Sequence, residues 1–71
     1  MAQEAIIRKI NPYELHGVQY YQMFLSYADT PDMVNEVRLA HDVIYPSPAE
    51  GDTVMVEKLL SIVTAVKKKT G

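Results

Sequence analysis

The hydrophobic pattern changes period along the chain, and its first segment has the composition of a strand. Residues 5–10 combine three isoleucines with Arg8 and Lys9 in a partly alternating order. β-Branched residues at this density favour extended structure. Asn11-Pro12 follows, and proline cannot donate a hydrogen bond to a neighbouring strand. The pattern predicts a short strand over residues 5–10 that ends at this dipeptide.

The next two apolar segments have the three- and four-residue spacing of amphipathic helices. This spacing predicts one helix over residues 18–28. A second helix is predicted to begin at Pro31, because proline is favoured at the first helical position and Thr30 can cap the free N–H groups. The apolar stripe of the second helix consists of Met33, Val37 and Ala40.

The last third of the chain predicts a loop followed by one or two strands. Residues 44–52 contain two prolines and a glycine, which is typical of an extended loop that closes in a turn. Residues 53–56 follow as a strand. Residues 59–66 fit a helical face or a strand; their β-branched content favours the strand, and the helix stays open. The sequence therefore predicts an α+β fold with the order strand, helix, helix, strand, strand.

Length and composition limit how this fold is stabilised. With 71 residues and no cysteine, the chain is predicted to be a single domain over 1–71, without disulfides or thiolate metal sites. Residues 59–71 are interpreted as a C-terminal extension with a basic tail. A chain of this size buries only about 60% of the surface that its unfolded form exposes. A partner is the expected source of additional stability.

Charge is distributed unevenly along the chain. Residues 11–57 carry eight acidic residues against Arg38 alone, whereas residues 58–71 carry four lysines. Nucleic-acid-binding domains usually present a basic stripe on the folded body, so an acidic body disfavours a nucleic-acid partner. No apolar segment approaches the roughly 18 residues that cross a membrane. The first residues also lack the pattern of a secretion signal, which predicts assembly in the cytoplasm.

Nothing in the sequence assembles into a catalytic or cofactor site. The serines at 26, 47 and 61 lie in different predicted elements, and none stands in a Gly-x-Ser-x-Gly turn. The glycines do not form a phosphate-binding loop, and two histidines cannot hold a metal ion by themselves. We therefore expect no enzyme activity, no cofactor and no metal.

Three stretches between residues 20 and 56 carry a family resemblance. They are Tyr27-Ala28-Asp29-Thr30, Val37-Arg38-Leu39-Ala40-His41, and Ile44-Tyr45-Pro46 with the later Gly51-Asp52-Thr53-Val54-Met55-Val56. They resemble, in order, the link between the helices, the end of the second helix, and the final loop, glycine turn and strand of the LysM family. The resemblance implies a small LysM-like strand-helix-helix-strand domain with an extra C-terminal strand or helix.

The resemblance also bears on function. LysM domains have Gly-Asp-Thr before the first helix, in a loop that helps form the glycan groove, whereas this chain has His16-Gly17-Val18-Gln19. Glycan binding is therefore not expected. Short, free-standing LysM-like proteins look like the small tail proteins of contractile-tailed bacteriophages. This implies a non-enzymatic structural adaptor at the junction of tail tube and baseplate hub, within the virion tail.

The implied partners are other tail or baseplate proteins, with multiple copies in a symmetric assembly as one arrangement. A peptidoglycan- or chitin-binding module and a small nucleic-acid-associated regulator remain as alternatives. Loop aromatics with polar tips are favoured at interfaces, and an open strand edge can add to a neighbouring sheet. On these grounds the candidate contact residues are Tyr13, Tyr45, Leu60, Ile62, Val66, Lys67 and Lys68.

Overall fold

The computed structural model describes residues 2–69, and nearly all of its regular structure is antiparallel β-sheet. The five strands are β1 (Ala2–Leu15), β2 (Val18–Tyr27), β3 (Asn35–Ala40), β4 (Thr53–Leu59) and β5 (Ile62–Lys68), with one 3-10 turn at His41–Val43. The predicted α+β class is therefore wrong, because the segments expected to form α-helices form strands.

The strands form one sheet in the order β3-β2-β1-β4-β5, with every neighbouring pair antiparallel. Strands β1 to β4 make a Greek key, because β4 returns by a long connection to lie beside β1. The sheet curls until Ile44, just after the 3-10 turn, forms a parallel bridge to Val66 of β5. This order and partial closure are those of the OB fold, a five-stranded, partly open barrel.

The inside of the barrel holds a single core that takes residues from all five strands and from the loop after β3. Its members are Ala5, Ile7, Met23, Leu25, Tyr27, Leu39, Ile44, Val54, Val56 and Val66. Each strand contributes alternate residues, as a pleated strand with one buried face requires. The core therefore depends on both ends of the chain, since Ala5 and Val66 are both almost fully buried.

Strand β2 replaces the first predicted helix. Tyr21, Met23 and Leu25 alternate with Gln22 and residues on the opposite face, and Met23 and Leu25 are fully buried. The outer face of β2 is also rich in aromatic residues, so apolar side chains occur on both faces of the strand. Together the two faces produce the three- and four-residue spacing that is typical of a helix. Pairing with β1 and β3 satisfies the main chain of this segment and decides in favour of the strand.

The second predicted helix is replaced by a turn and by β3. The Thr30–Met33 turn is closed by a hydrogen bond from Met33 N to Thr30 O of 3.0 Å. Proline is favoured at the second position of such a turn, so Pro31 and Thr30 serve a turn instead of a helix cap. In β3, Val37 and Leu39 point inward while Glu36 and Arg38 are exposed.

Strand β1 continues through the dipeptide that was predicted to end it. Pro12 pairs with Tyr21 of β2, and β1 extends to Leu15. The ladder between β1 and β4 covers only residues 2–6 of β1. The later half of β1 is therefore an edge on its other side, where a missing N–H is tolerated.

The ambiguous C-terminal segment forms a β-hairpin with β4. The predicted strand over 53–56 is confirmed as part of β4. The strand alternative for 59–66 is confirmed for residues 62–66, which lie in β5, but not for residues 60 and 61. Leu59 pairs with Ile62, so Leu60 and Ser61 form a two-residue turn. Thr64 is the extra residue of a β-bulge, and its hydroxyl donates to the Glu57 carbonyl at 3.2 Å.

Candidate docking surfaces

The structure separates the predicted contact residues into buried and exposed groups. Val66 is 2% exposed and packs in the core opposite Val56, so its side chain is not at the surface. Tyr45 is half-buried and packs against the same core. The other five predicted residues are exposed: Tyr13, Leu60, Ile62, Lys67 and Lys68.

Tyr45 has a structural contact at the base of β4. Its hydroxyl donates to the Asp52 carboxylate at 2.6 Å, and the Ala49 N–H donates to the same oxygen at 3.1 Å. The hydrogen bond from Tyr45 lowers the pKa of Asp52, with Ala49 contributing. Burial, followed by the hydrogen bond to Asp52, raises the pKa of Tyr45. This arrangement fixes the long loop where it enters β4.

The lysines near the end of β5 lie on the surface close to acidic side chains of this chain. Lys67 Nζ lies 4.0 Å from a carboxylate oxygen of Glu57, and Lys69 Nζ lies 2.6 Å from one of Glu4. Both pairs are largely exposed, so each contributes little to stability. The basic tail is thus partly neutralised by the folded body, which reduces its availability to an acidic partner.

The most exposed apolar surface is the tip of the β4–β5 hairpin. Leu59, Leu60 and Ile62 are 69%, 91% and 67% exposed, and we call these three residues the hairpin tip. Single exposed apolar residues are common in soluble proteins, but contiguous ones mark interaction sites. Leu60 and Ile62 are among the predicted contact residues, and Leu59 is not, although it lies in the same apolar C-terminal segment.

Neither core packing nor backbone preference accounts for leucine at position 60. Leu60 has a φ of 58°, a conformation that costs an L residue roughly 1–2 kcal/mol and that glycine adopts freely. Its side chain is 91% exposed and therefore gains almost nothing from burial within this chain. No contact among the described residues therefore explains a leucine in this position.

A second pair of exposed apolar residues, Met33 and Val34, lies at the same end of the barrel. They are 60% and 55% exposed. The 28–34 loop follows the end of β2, and Lys58, beside the hairpin tip, lies over the Tyr27 ring with its Nζ 4.3 Å from the ring centroid. The sequence does not indicate this pair, because its apolar spacing places Met33 in the buried stripe of a predicted helix.

The outer surface of β1, β2 and β3 carries a different kind of site. Asn11, Gln22 and Arg38 are direct cross-strand neighbours in one row. Gln22 and Arg38 both donate to the Glu36 carboxylate, the latter at 3.1 Å from Nε. The hydrogen bond from Gln22, together with that from Arg38, lowers the pKa of Glu36. The network holds these polar side chains in fixed orientations.

An aromatic pair borders this polar row. The Tyr13 and Tyr20 rings stack with centroids 5.5 Å apart and planes inclined by 17°. Asn11, Tyr13, Gln22 and Arg38 together line a shallow cavity of about 280 Å³. Of these residues, sequence reasoning identified only Tyr13, because the row is created by pairing between strands that were predicted to be helices.

Within residues 2–69, no helix is long and apolar enough to cross a membrane, and no three histidine, cysteine or acidic side chains cluster where they could hold a metal ion. The chain matches no protein-family model, no curated protein and no solved structure with which it was compared. The fold itself hosts many unrelated functions, so the functional argument rests on the surfaces described above.

Proposed function

We propose that this protein is a non-enzymatic adaptor that docks onto a partner protein through the hairpin tip. The observation that carries the proposal is Leu60, an almost fully exposed leucine in a backbone conformation suited to glycine. A few side chains in well-packed, desolvated pockets near the centre of an interface supply most of its binding energy. Burying Leu60 in a partner gives a reason for the position that the isolated chain does not.

The charge around the hairpin tip favours a protein over an anionic membrane surface. Asp29, Asp32 and Glu57 lie at this end of the barrel, against Lys58. Anionic lipids attract surfaces rich in lysine and arginine, and this end has an acidic excess. The partner is expected to offer an apolar cleft with a basic rim.

The earlier placement in a phage tail or baseplate came with a resemblance to a strand-helix-helix-strand module, and this fold lacks those helices. The placement in a phage tail or baseplate stays a prediction that is separate from the docking function. The proposed docking function does not depend on it, because it is argued from the hairpin tip alone.

Site-specific photocrosslinking in the producing cells tests the proposal. A photoreactive phenylalanine at position 60 is expected to give a discrete crosslinked product with one partner. The same residue at position 15, in the opposite hairpin, is the matched control because Leu15 is also exposed. Equal products from both positions, or none from position 60, would show that the hairpin tip does not dock.

A second candidate function follows from the cavity on the outer face of β1, β2 and β3. OB folds bind oligosaccharides and oligonucleotides on the corresponding face, which is an analogy at the level of the fold. Here Arg38 is paired with Glu36, so the face lacks the basic track that a phosphate backbone requires. A neutral sugar, stacked on Tyr13 and bonded by Asn11 and Gln22, is the better match.

Titration of isotope-labelled protein with chitotetraose and cellotetraose decides between this candidate and the expectation that no glycan binds. Shifts confined to Asn11, Tyr13, Gln22 and Arg38, and lost in Tyr13→Ala, would support the sugar site. A Leu60→Asn variant is the control, since it lies in the opposite hairpin. If no resonance shifts at millimolar sugar, the sugar site is wrong and docking through the hairpin tip is the one function still proposed.

A further inference from the structure

Strand β3 forms one edge of the sheet along its whole length. All six of its residues pair with β2, and within residues 2–69 no strand pairs with its other side. The bridge that partly closes the barrel begins only after β3, at Ile44. The edge contains no proline and no bulge, two features that commonly block such an edge. Its free main-chain groups can therefore accept another strand.

We propose that β3 pairs antiparallel with β3 of a second copy of this chain, about a two-fold axis at Val37. The result is a symmetric dimer in which the two five-stranded sheets are continuous. A two-fold interface brings the same surface patch of both copies together, so the patch must be complementary to itself. The sequence of β3 satisfies this requirement on both faces.

On the outer face, the proposed register pairs opposite charges. With Val37 opposite Val37 of the second copy, Glu36 lies opposite Arg38 of the second copy, and the symmetry repeats this pair. Both side chains are exposed on the same face of β3. Opposite charges directly across an antiparallel pair are stabilising, and like charges are destabilising. The two strands therefore present two complementary charge pairs on one face.

Apolar contacts extend the complementarity beyond the charged pairs. Val34, just before β3, lies opposite Ala40 of the second copy on the outer face. Val34 is 55% exposed in the single chain, so the pairing gives it an apolar neighbour. On the inner face the half-buried Val37 side chains meet at the axis. Dimerisation thereby covers part of the apolar surface that the small domain leaves open.

Other registers are excluded by the same pattern. A shift of one residue would place the inner face of one strand opposite the outer face of the other. A shift of two residues would place Glu36 opposite Glu36 of the second copy, or Arg38 opposite Arg38 of the second copy. Like charges at the axis destabilise both of these arrangements. The register with Val37 at the axis is the one that pairs five of the six β3 residues with the faces matched and without like charges at the axis.

Charge reversal tests the pairing directly. Sedimentation velocity from about 5 to about 500 µM is expected to show a monomer–dimer equilibrium for the wild type. Glu36→Arg alone and Arg38→Glu alone should each weaken the dimer by about tenfold or more, because both symmetric pairs become repulsive. The double variant Glu36→Arg/Arg38→Glu restores opposite charges across the axis and should recover the wild-type dissociation constant to within about threefold.

Two further variants keep the test decisive. Arg8→Glu reverses an exposed charge on β1 and should leave the dimer unchanged. Val34→Glu alters the pairing without touching the contact between Glu36 and Arg38 inside one chain, and should also weaken the dimer. A wild type that stays monomeric throughout the range would overturn the proposal. So would a dimer that resists both single reversals, or one that the double variant fails to restore.

Discussion

The two hairpins of the barrel have turns of the same length but of different chemistry. The β1–β2 turn consists of His16 and Gly17, with φ values of 53° and 79°, which is the pattern of a type I′ turn. The β4–β5 turn places Leu60 at φ 58° and Ser61 after it, which is the φ pattern of a type II′ turn, where glycine is preferred at the first position. The β1–β2 turn has glycine at a position of positive φ, as its turn type prefers, whereas the β4–β5 turn has leucine where glycine is preferred.

This difference separates residues chosen for folding from residues chosen for something else. Gly17 is explained by its own backbone, since a side chain there would meet no neighbour within 4 Å but would strain φ. Leu60 is explained neither by its backbone nor by burial. Departures from local consistency are expected at functional sites. The comparison therefore supports a folding role for the first turn and is consistent with the docking role that we propose for the second.

The largest expected effect comes from removing the second hairpin. Deleting residues 59–71 should abolish folding, because β5 supplies Val66 to the core and covers β4. The segment therefore cannot be removed as a dispensable docking element. Far-UV circular dichroism and the dispersion of amide resonances measure the outcome. A truncated chain that keeps dispersed resonances would show that β5 is separable from the barrel.

The next effect concerns the first turn. Gly17→Ala should lower the free energy of unfolding by about 1–2 kcal/mol, since alanine must adopt a left-handed conformation there. The loss is purely conformational because the site has open space around it. Urea denaturation measures it, with Ala49→Gly in the long loop as a control for the flexibility of glycine. An unchanged midpoint would mean that this turn does not require positive φ.

A smaller, pH-dependent effect is expected at the base of the second hairpin. Tyr45→Phe removes the hydrogen bond to Asp52, whose pKa is lowered in the folded state. An acid whose pKa is lower in the folded than in the unfolded protein stabilises the folded state at pH values above its unfolded pKa. This stabilisation is lost as the pH falls through the folded pKa. The wild type should thus exceed Tyr45→Phe in stability at neutral pH, and the difference should shrink below about pH 4. A stability difference between the two proteins that stays constant with pH would show that the ionisation of Asp52 does not cause it.

The smallest expected effect is a gain in stability instead of a loss, and it tests the comparison between the two turns directly. Leu60→Asn should leave stability unchanged or raise it by up to about 1 kcal/mol, because asparagine adopts a positive φ more readily than leucine. The same variant should lose binding to the partner that crosslinking from position 60 identifies. Thermal denaturation and partner capture on one preparation measure both effects. A clear loss of stability would show that Leu60 serves the fold.

Part of the candidate surfaces could be inferred from composition. The density of apolar residues near the C-terminus identified Leu60 and Ile62, and the β-branched content correctly favoured a strand there. Val66 was included with them because the alternation of residues does not by itself show which face of the strand points to the core. Only its position opposite Val56 on β4, with Ile44 on its other side, places it inside.

The sequence by itself determined the glycine turns, the strand character of the N-terminal end and the absence of a recognisable catalytic motif. Gly17 and Gly51 mark chain reversals through their own backbone preferences, which require no tertiary contact, whereas Pro31 fits a helix start as well as a turn. Tertiary structure alone decided that residues 18–27 and 35–40 are strands. Their apolar spacing fits two periods, and main-chain pairing selects the strand period, because β2 pairs with β1 on one side and with β3 on the other. The polar row on the outer face and the open edge of β3 follow from that same pairing, because both are defined by which strands become neighbours.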